Sequence, residues 1–189
     1  MAEKLKTRLT VSDDEYWEIA SDLQSYHAIF SSFWGLGRIS FSDSIPTACI
    51  KWDKKFEKAQ FIFNPEFWDS IDYYTRIWVI CHEMLHIILN HGVRGKYLKY
   101  QNIANIAMDI VINHLTVNKF GFVRDQIQDA MKFSWVDTVF KPEEEIPDDK
   151  HLEWYYEKIE KSATKITVLV DCHGQFGGEG DGEGKGEGD

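Results

Sequence analysis

Apolar and polar residues follow a helical period in several stretches of the chain. From Tyr16 to Phe33 the apolar positions recur every three or four residues, which predicts an amphipathic helix packed on the core. Ser12 is its predicted N-terminal cap, because Glu15 follows three residues later and the pair matches a capping box. The same period over His151–Ser162 predicts the last packed helix.

Short β-rich runs lie between these helices. Thr47–Trp52 and Gln60–Asn64 have strand-like composition, and the charged turn between them predicts a hairpin. Ile39–Phe41 predicts a further short strand. Pro65 ends the second strand of the hairpin, because proline has no N–H to donate to a ladder.

Two strongly apolar stretches follow the hairpin and predict buried helices. The first runs from Tyr73 to about His91, with Ser70 or Asp72 as its cap and Gly92 as its C-terminal stop. The second runs from about Asn102 to Val117. Together these elements predict a compact α+β domain, mainly helical, with a small sheet before the first of the two apolar helices.

The first apolar helix contains His82-Glu83-Met84-Leu85-His86, which has the form H-E-x-x-H. On a helix the two histidines are one turn apart and face the same side, so both imidazoles can reach one metal ion. Glu83 lies about 100° round the helix, where it can contact a water molecule at the metal without being a ligand. This arrangement is typical of zinc hydrolases, in which the carboxylate takes the proton of the attacking water.

A catalytic zinc site needs a third protein ligand, and several residues are candidates. Asp109 is favoured because a buried carboxylate needs a cation, and it lies in a polar stripe on an otherwise apolar helix. His91 is the second candidate, but five helical steps place it about 140° away from His86, so it could turn inward only if the helix ended early. The stripe consists of Asn102, Asn105, Asp109 and Asn113, and the remaining ligand candidates are His114, Asp171 and His173.

Two of these residues have further interpretations. Asn113, one turn after Asp109, could orient a metal ligand or make an ordinary interhelical hydrogen bond. His91 could be a residue at the helix end that the helix dipole stabilises, a residue that holds a metal ligand in place, or a residue that contacts the substrate. The loop expected over Val93–Gln101 carries Arg94, which could donate to a developing oxyanion but is more typical of a surface loop.

Composition places the chain among globular proteins of one domain. It has 189 residues, of which 43% are hydrophobic, and its formal net charge of −10 argues against nucleic acid or an anionic membrane as a partner. Residues 1–165 are expected to form the domain, and residues 166–189 a strand-like segment with an acidic, glycine-rich tail or linker. The three cysteines are far apart, and neither a secretory signal nor a membrane span is recognisable, so a cytoplasmic location fits best.

Three segments of the chain, taken in order, resemble one known family. They are Asn64-Pro65-Glu66-Phe67, the segment from His82 to His91, and the segment from Asn105 to Asn113, which has the form N-x-A-x-D-x-x-I-N. Together they resemble the putative metallopeptidase domain found with von Willebrand factor A-like domains, over roughly residues 16–160.

The resemblance implies a zincin-like fold in which His82, His86 and Asp109 hold zinc and Glu83 acts as the base. It also suggests a von Willebrand A-like domain or a MoxR-type ATPase as a partner. The predicted function is therefore a zinc-dependent peptidase acting on a protein or peptide. Peptidases usually bind substrate along an exposed sheet edge, and Phe61–Asn64 is the predicted edge unless it is a plain core hairpin. The alternative function is a non-catalytic, metal-stabilised interaction module that works with a separate effector domain or ATPase.

Overall fold

The protein is described by a computed structural model for residues 10–34, 37–53 and 58–162. Three short 3₁₀ turns accompany the helices and strands of these residues, at Arg124–Gln126, Ala130–Lys132 and Pro142–Glu144. In chain order the elements are α1 (Asp13–Tyr26), α2 (Ala28–Trp34), β1 (Gly37–Phe41), β2 (Ala48–Asp53), β3 (Lys58–Phe63), α3 (Pro65–Ser70), α4 (Tyr73–Ile88), α5 (His91–Lys96), α6 (Gln101–Phe120), α7 (Val136–Val139) and α8 (Leu152–Ser162). The predicted α+β class, mainly helical with a small sheet, is confirmed.

The first predicted helix is interrupted at His27. Ser12 caps α1 as expected, because its hydroxyl accepts a hydrogen bond from the Glu15 amide at 3.2 Å. His27 then adopts an extended backbone, and its Nδ1 accepts from the Ile29 amide at 3.2 Å. The apolar period continues across this break, which is why the pattern alone predicted one helix rather than α1 and α2.

The sheet has three strands in the order β1-β3-β2. The predicted hairpin is confirmed, since β2 and β3 pair antiparallel, while β1 pairs parallel with β3 on its other side. The prediction that Phe61–Asn64 forms the exposed edge is wrong, because β1 covers that side and makes β3 the central strand. The side chains of Phe61 and Phe63 accordingly point into the core, where they are buried.

The motif helix α4 is shorter than predicted. It begins after Asp72, whose carboxylate accepts a hydrogen bond from the Thr75 amide at 2.8 Å, and it ends at Ile88. Gly92 is not the stop. The chain turns instead at Asn90, which has a left-handed backbone with φ of 56°, a conformation that asparagine tolerates better than most residues. The segment predicted as a loop therefore begins as α5.

Helix α6 is buried on more than one side. Its Ile112 packs into the core formed by α1, α4 and the sheet, whereas Ile103, Ala107 and Ile110 pack against α8. No helix within residues 10–34, 37–53 and 58–162 is long and apolar enough to cross a membrane. The predicted domain boundary at 165/166 lies outside the described residues and stays a prediction.

Close packing of β1 on the central strand makes Gly37 sensitive to substitution. A Cβ atom at this position would overlap the ring of Phe61, which is 1% exposed and has little room to move. We expect Gly37→Ala to lower the free energy of unfolding by about 1–3 kcal/mol, as measured by urea denaturation. A variant as stable as the wild type would contradict this contact.

Candidate metal centre

The H-E-x-x-H residues lie on α4 and are buried. His82, Glu83 and His86 are 2%, 3% and 4% exposed. Helix α4 lies in the interior because apolar residues between Ile77 and Leu85 lie on every side of it. The three polar side chains are buried as a consequence. Burying polar side chains costs free energy unless their polar atoms have hydrogen-bond or ionic partners.

Asp109 on α6 faces the two histidines. Its Oδ1 lies 3.5 Å from His82 Nε2 and 3.3 Å from His86 Nε2, while the two Nε2 atoms are 3.1 Å apart. His82, His86 and Asp109 are the group of possible metal ligands found among the described residues, with donor atoms within 4.8 Å of one another. The structure thus brings together the residues that the resemblance implies as ligands.

The spacing of these donor atoms suits one small tetrahedral metal ion. Bonds of about 2.0–2.1 Å at tetrahedral angles place neighbouring ligand atoms about 3.3–3.4 Å apart. The three observed separations, 3.1, 3.3 and 3.5 Å, lie around that value. Two imidazoles and one carboxylate are also a donor set typical of zinc and similar ions.

Asn113 fixes the orientation and the tautomer of His82. The Asn113 amide nitrogen donates to the carbonyl of Ser134 at 3.0 Å, which leaves its Oδ1 facing His82 Nδ1 at 2.8 Å. Because Oδ1 can only accept, His82 must carry its proton on Nδ1. The lone pair of His82 is therefore on Nε2, the atom that faces Asp109, as metal ligation requires.

His91 contacts His86 on the side of the His86 ring that faces away from Asp109. The left-handed Asn90 turns the chain inward, and His91 becomes fully buried with its Nδ1 3.3 Å from His86 Nδ1. Burial, reinforced by His86 and Arg94, lowers the pKa of His91 to about 2, so its ring is neutral and can accept a hydrogen bond. Burial also lowers the pKa of His86 from its ordinary value of 6.5, which favours the neutral form that binds metals.

The other predicted candidates lie away from this group. His114 Nε2 accepts a hydrogen bond from the Val136 amide, and its Nδ1 is 3.7 Å from Asp148. Arg94 forms an ion pair with Glu153 of α8 at 2.8 Å, so it links helices. The remaining two, Asp171 and His173, are outside the described residues.

Sequence reasoning missed the contribution of the segment between α6 and α7. Ser134 holds Asn113 through its backbone carbonyl, and its neighbour Trp135 stacks on Trp78 of α4 with ring centroids 6.3 Å apart. A backbone carbonyl leaves no side-chain signal, so no spacing rule could have found Ser134. The aromatic residues of this segment could be recognised in the sequence, but their packing on Trp78 of α4 could not be predicted from it.

Comparison with known proteins agrees with the geometry. A family model described as "Putative metallopeptidase domain" matches residues 47–189, which is more than half of the chain. The chain belongs to this family. The matched part begins at Thr47, immediately before β2, and includes both α4 and α6, so it contains every residue of the candidate metal centre. No curated protein and no solved structure matches the chain.

Removing the Asn113 contact should weaken metal binding. Asn113→Leu keeps the side-chain size but takes away the acceptor that orients His82, so we expect the affinity for Zn²⁺ to fall about 10–100-fold in a competitive titration. Asn102→Leu, an exposed position at the start of the same helix, is the matched control and should bind like the wild type. Equal affinities for Asn113→Leu and the control would contradict this role.

The third ligand can be tested by metal content. Asp109→Ala should leave bound zinc far below stoichiometric, because the carboxylate and its charge are both lost. His91→Ala should stay stoichiometric at saturating Zn²⁺, since His91 contacts His86 through the side away from Asp109. Elemental analysis of the purified variants decides between them. Full zinc content in Asp109→Ala with loss in His91→Ala would reverse the assignment.

Proposed function

We propose that this protein is a zinc-dependent peptidase. The observation that carries the proposal is the triangle of donor atoms from His82, His86 and Asp109, with Glu83 next to His82 on the same helix. Membership of a metallopeptidase family supports the same reaction class. The proposed cofactor is Zn²⁺, because a buried site with two imidazoles and one carboxylate leaves a fourth position open, as catalytic zinc sites do.

His82, His86 and Asp109 would hold the ion, with His82 oriented by Asn113 and His86 by His91. Bound zinc supplies a Lewis acid that polarises a carbonyl group and lowers the pKa of a water molecule. With His86 Nε2 holding the ion, the proton of His86 would lie on Nδ1 and would be donated to the neutral ring of His91. The Asp109 carboxylate offsets part of the added positive charge.

Glu83 is assigned the role of general base. It is not one of the three residues whose donor atoms cluster, so the proposal gives its carboxylate proton transfer rather than ligation. We propose that it accepts a proton from the attacking water and returns it to the amine that leaves when the peptide bond breaks. Its burial, at 3% exposed, keeps that transfer away from bulk solvent.

The proposed substrate is a protein or a peptide, and the proposed location is the cytoplasm. The net charge of −10 disfavours nucleic acid and anionic membranes as partners. A von Willebrand A-like domain or a MoxR-type ATPase is proposed as a working partner, on the strength of the family resemblance alone.

Replacing the base tests catalysis apart from metal binding. Glu83→Gln should cut peptide hydrolysis by at least about 100-fold, because the amide cannot accept the proton, while zinc content and unfolding temperature stay near those of the wild type. Glu143→Gln, an exposed change of the same kind, is the control.

Cleavage can be measured on a mixed peptide library by mass spectrometry. A wild type that cleaves nothing, with a biological effect unchanged by Glu83→Gln, would favour the non-catalytic, metal-stabilised interaction module instead. Equal cleavage by Glu83→Gln and the wild type would remove Glu83 from the mechanism.

A further inference from the structure

The stretch of chain between Glu83 and Asp109 differs in charge from the rest of the protein. It contains no aspartate or glutamate, although the whole chain has 31 such residues. The same stretch contains three cationic side chains, those of Arg94, Lys96 and Lys99. In a chain with a net charge of −10, the segment that forms α5 and the turn before α6 is therefore locally positive.

Three large apolar side chains are exposed on the same segment. Val93, Tyr97 and Tyr100 are 53%, 82% and 40% exposed. They are half of the six large apolar side chains that are exposed in the described part of the chain, and they lie within eight consecutive positions. Helical spacing places Val93, Lys96 and Tyr97 on one face of α5. We call Val93, Lys96, Tyr97, Lys99 and Tyr100 the α5 surface.

Hydrogen bonds hold the backbone under the α5 surface in place. The side-chain amide nitrogen of Gln101 donates to the carbonyl oxygens of Gly95 and Leu98, at 3.1 and 2.7 Å. The Tyr100 amide donates to the Tyr156 hydroxyl of α8 at 3.1 Å. A partner that binds here meets a preformed backbone, so little conformational entropy is lost in ordering it.

Only part of the positive charge on this segment is neutralised inside the protein. Arg94 is paired with Glu153 of α8 at 2.8 Å. The ammonium groups of Lys96 and Lys99 form no ion pair with any other residue that the structure describes. Lys99 Nζ lies 4.7 Å from the centre of the Tyr100 ring, so a cation and an aromatic ring are presented together. Two ammonium groups are therefore available to a partner of opposite charge.

An acidic segment of a protein suits this surface better than a nucleic acid does. Nucleic-acid affinity comes from neutralising many phosphates along the backbone, whereas two ammonium groups would neutralise about two. A nucleic acid would also extend past the surface onto a chain of net charge −10. A short acidic segment needs only the local charge, because charges more than about 8 Å apart are largely screened at physiological salt. Exposed tyrosines are also typical of protein interfaces.

From these observations we propose that the α5 surface binds an acidic segment of a partner protein. Two carboxylates of that segment pair with the ammonium groups of Lys96 and Lys99. An aliphatic or aromatic side chain between the carboxylates packs on the Tyr97 ring. The inference goes beyond the proposed peptidase function, because the α5 surface shares no residue with the candidate metal centre and docking needs no hydrolysis.

A direct binding measurement tests the docking surface. We would titrate the full chain into fluorescein-labelled peptides in which a central phenylalanine lies among serines and glutamates, or among serines and glutamines. The glutamate peptide should bind at least about tenfold more tightly than the glutamine peptide by fluorescence anisotropy, and the difference should shrink at high salt. Replacing the phenylalanine of the glutamate peptide by alanine should weaken binding at least about threefold.

Single substitutions locate the binding on the protein. Lys96→Glu and Lys99→Glu should each weaken binding of the glutamate peptide at least about fivefold. Lys119→Glu, which changes the net charge equally at an exposed position near the far end of α6, should leave binding unchanged. Tyr97→Ala should weaken binding, while Trp17→Ala, which removes another exposed aromatic ring, should not. Wild-type unfolding temperatures and zinc contents would show that the variants are folded.

Several outcomes would overturn the proposal. Equal binding of the glutamate and glutamine peptides, or equal losses in Lys96→Glu and Lys119→Glu, would mean that no specific surface is involved. Tighter binding of a single-stranded oligonucleotide, lost in Lys96→Glu, would assign the surface to a nucleic acid. Self-association of the wild type that Tyr97→Ala abolishes, measured by analytical ultracentrifugation, would assign it to a second copy of the chain.

The acidic residues near the end of the chain are tested as an occupant in the same way. A full-length variant with neutral amides in their place should bind the glutamate peptide as the wild type does. Binding that appears only in this variant would assign the surface to the chain's own acidic residues and overturn the proposal, and so would the absence of binding in both proteins. The residues replaced are Glu179, Asp181, Glu183, Glu187 and Asp189.

Discussion

The contact between the Asp109 carboxylate and two imidazoles sets the demands that the surrounding structure meets. All three groups are almost fully buried, and their closest atoms lie 3.1–3.5 Å apart. Such a cluster is costly in a low-dielectric interior unless a cation binds among the donors or every remaining polar atom is satisfied. Asn113 and His91 supply partners for the Nδ1 atoms of His82 and His86, and the spacing of the three facing donor atoms suits a cation among them.

The segment between α6 and α7 connects the metal centre with the rest of the molecule. Its three successive residues make separate contacts: Phe133 packs on Trp78, Ser134 holds Asn113, and Trp135 stacks on the Trp78 ring. A shift of this segment would therefore change the orientation of His82 and the packing around Trp78 together.

Sequence patterns were sufficient wherever local periodicity or a side-chain cap determines the structure. The hairpin, the N-terminal ends of α1 and α4, and the facing of His82 and His86 all follow from residues close in the chain. The order of the strands did not follow, because the position of β1 depends on contacts with β3 about twenty residues away. The inward turn of His91 was only one of several alternatives, since a left-handed asparagine at position 90 takes the place of the glycine that such a turn usually requires.

The polar stripe on α6 makes one position of that helix along its axis chemically different from the positions one turn away. Asn105, Asp109 and Asn113 are spaced by four residues, so a slip of α6 by one turn in either direction, about 5.4 Å, would present an asparagine to the two histidines. A neutral amide cannot offset the charge of a divalent ion as a carboxylate can. A metal ion in this site would therefore stabilise one helix register over both of its neighbours, and would act as a folding constraint as well as a cofactor.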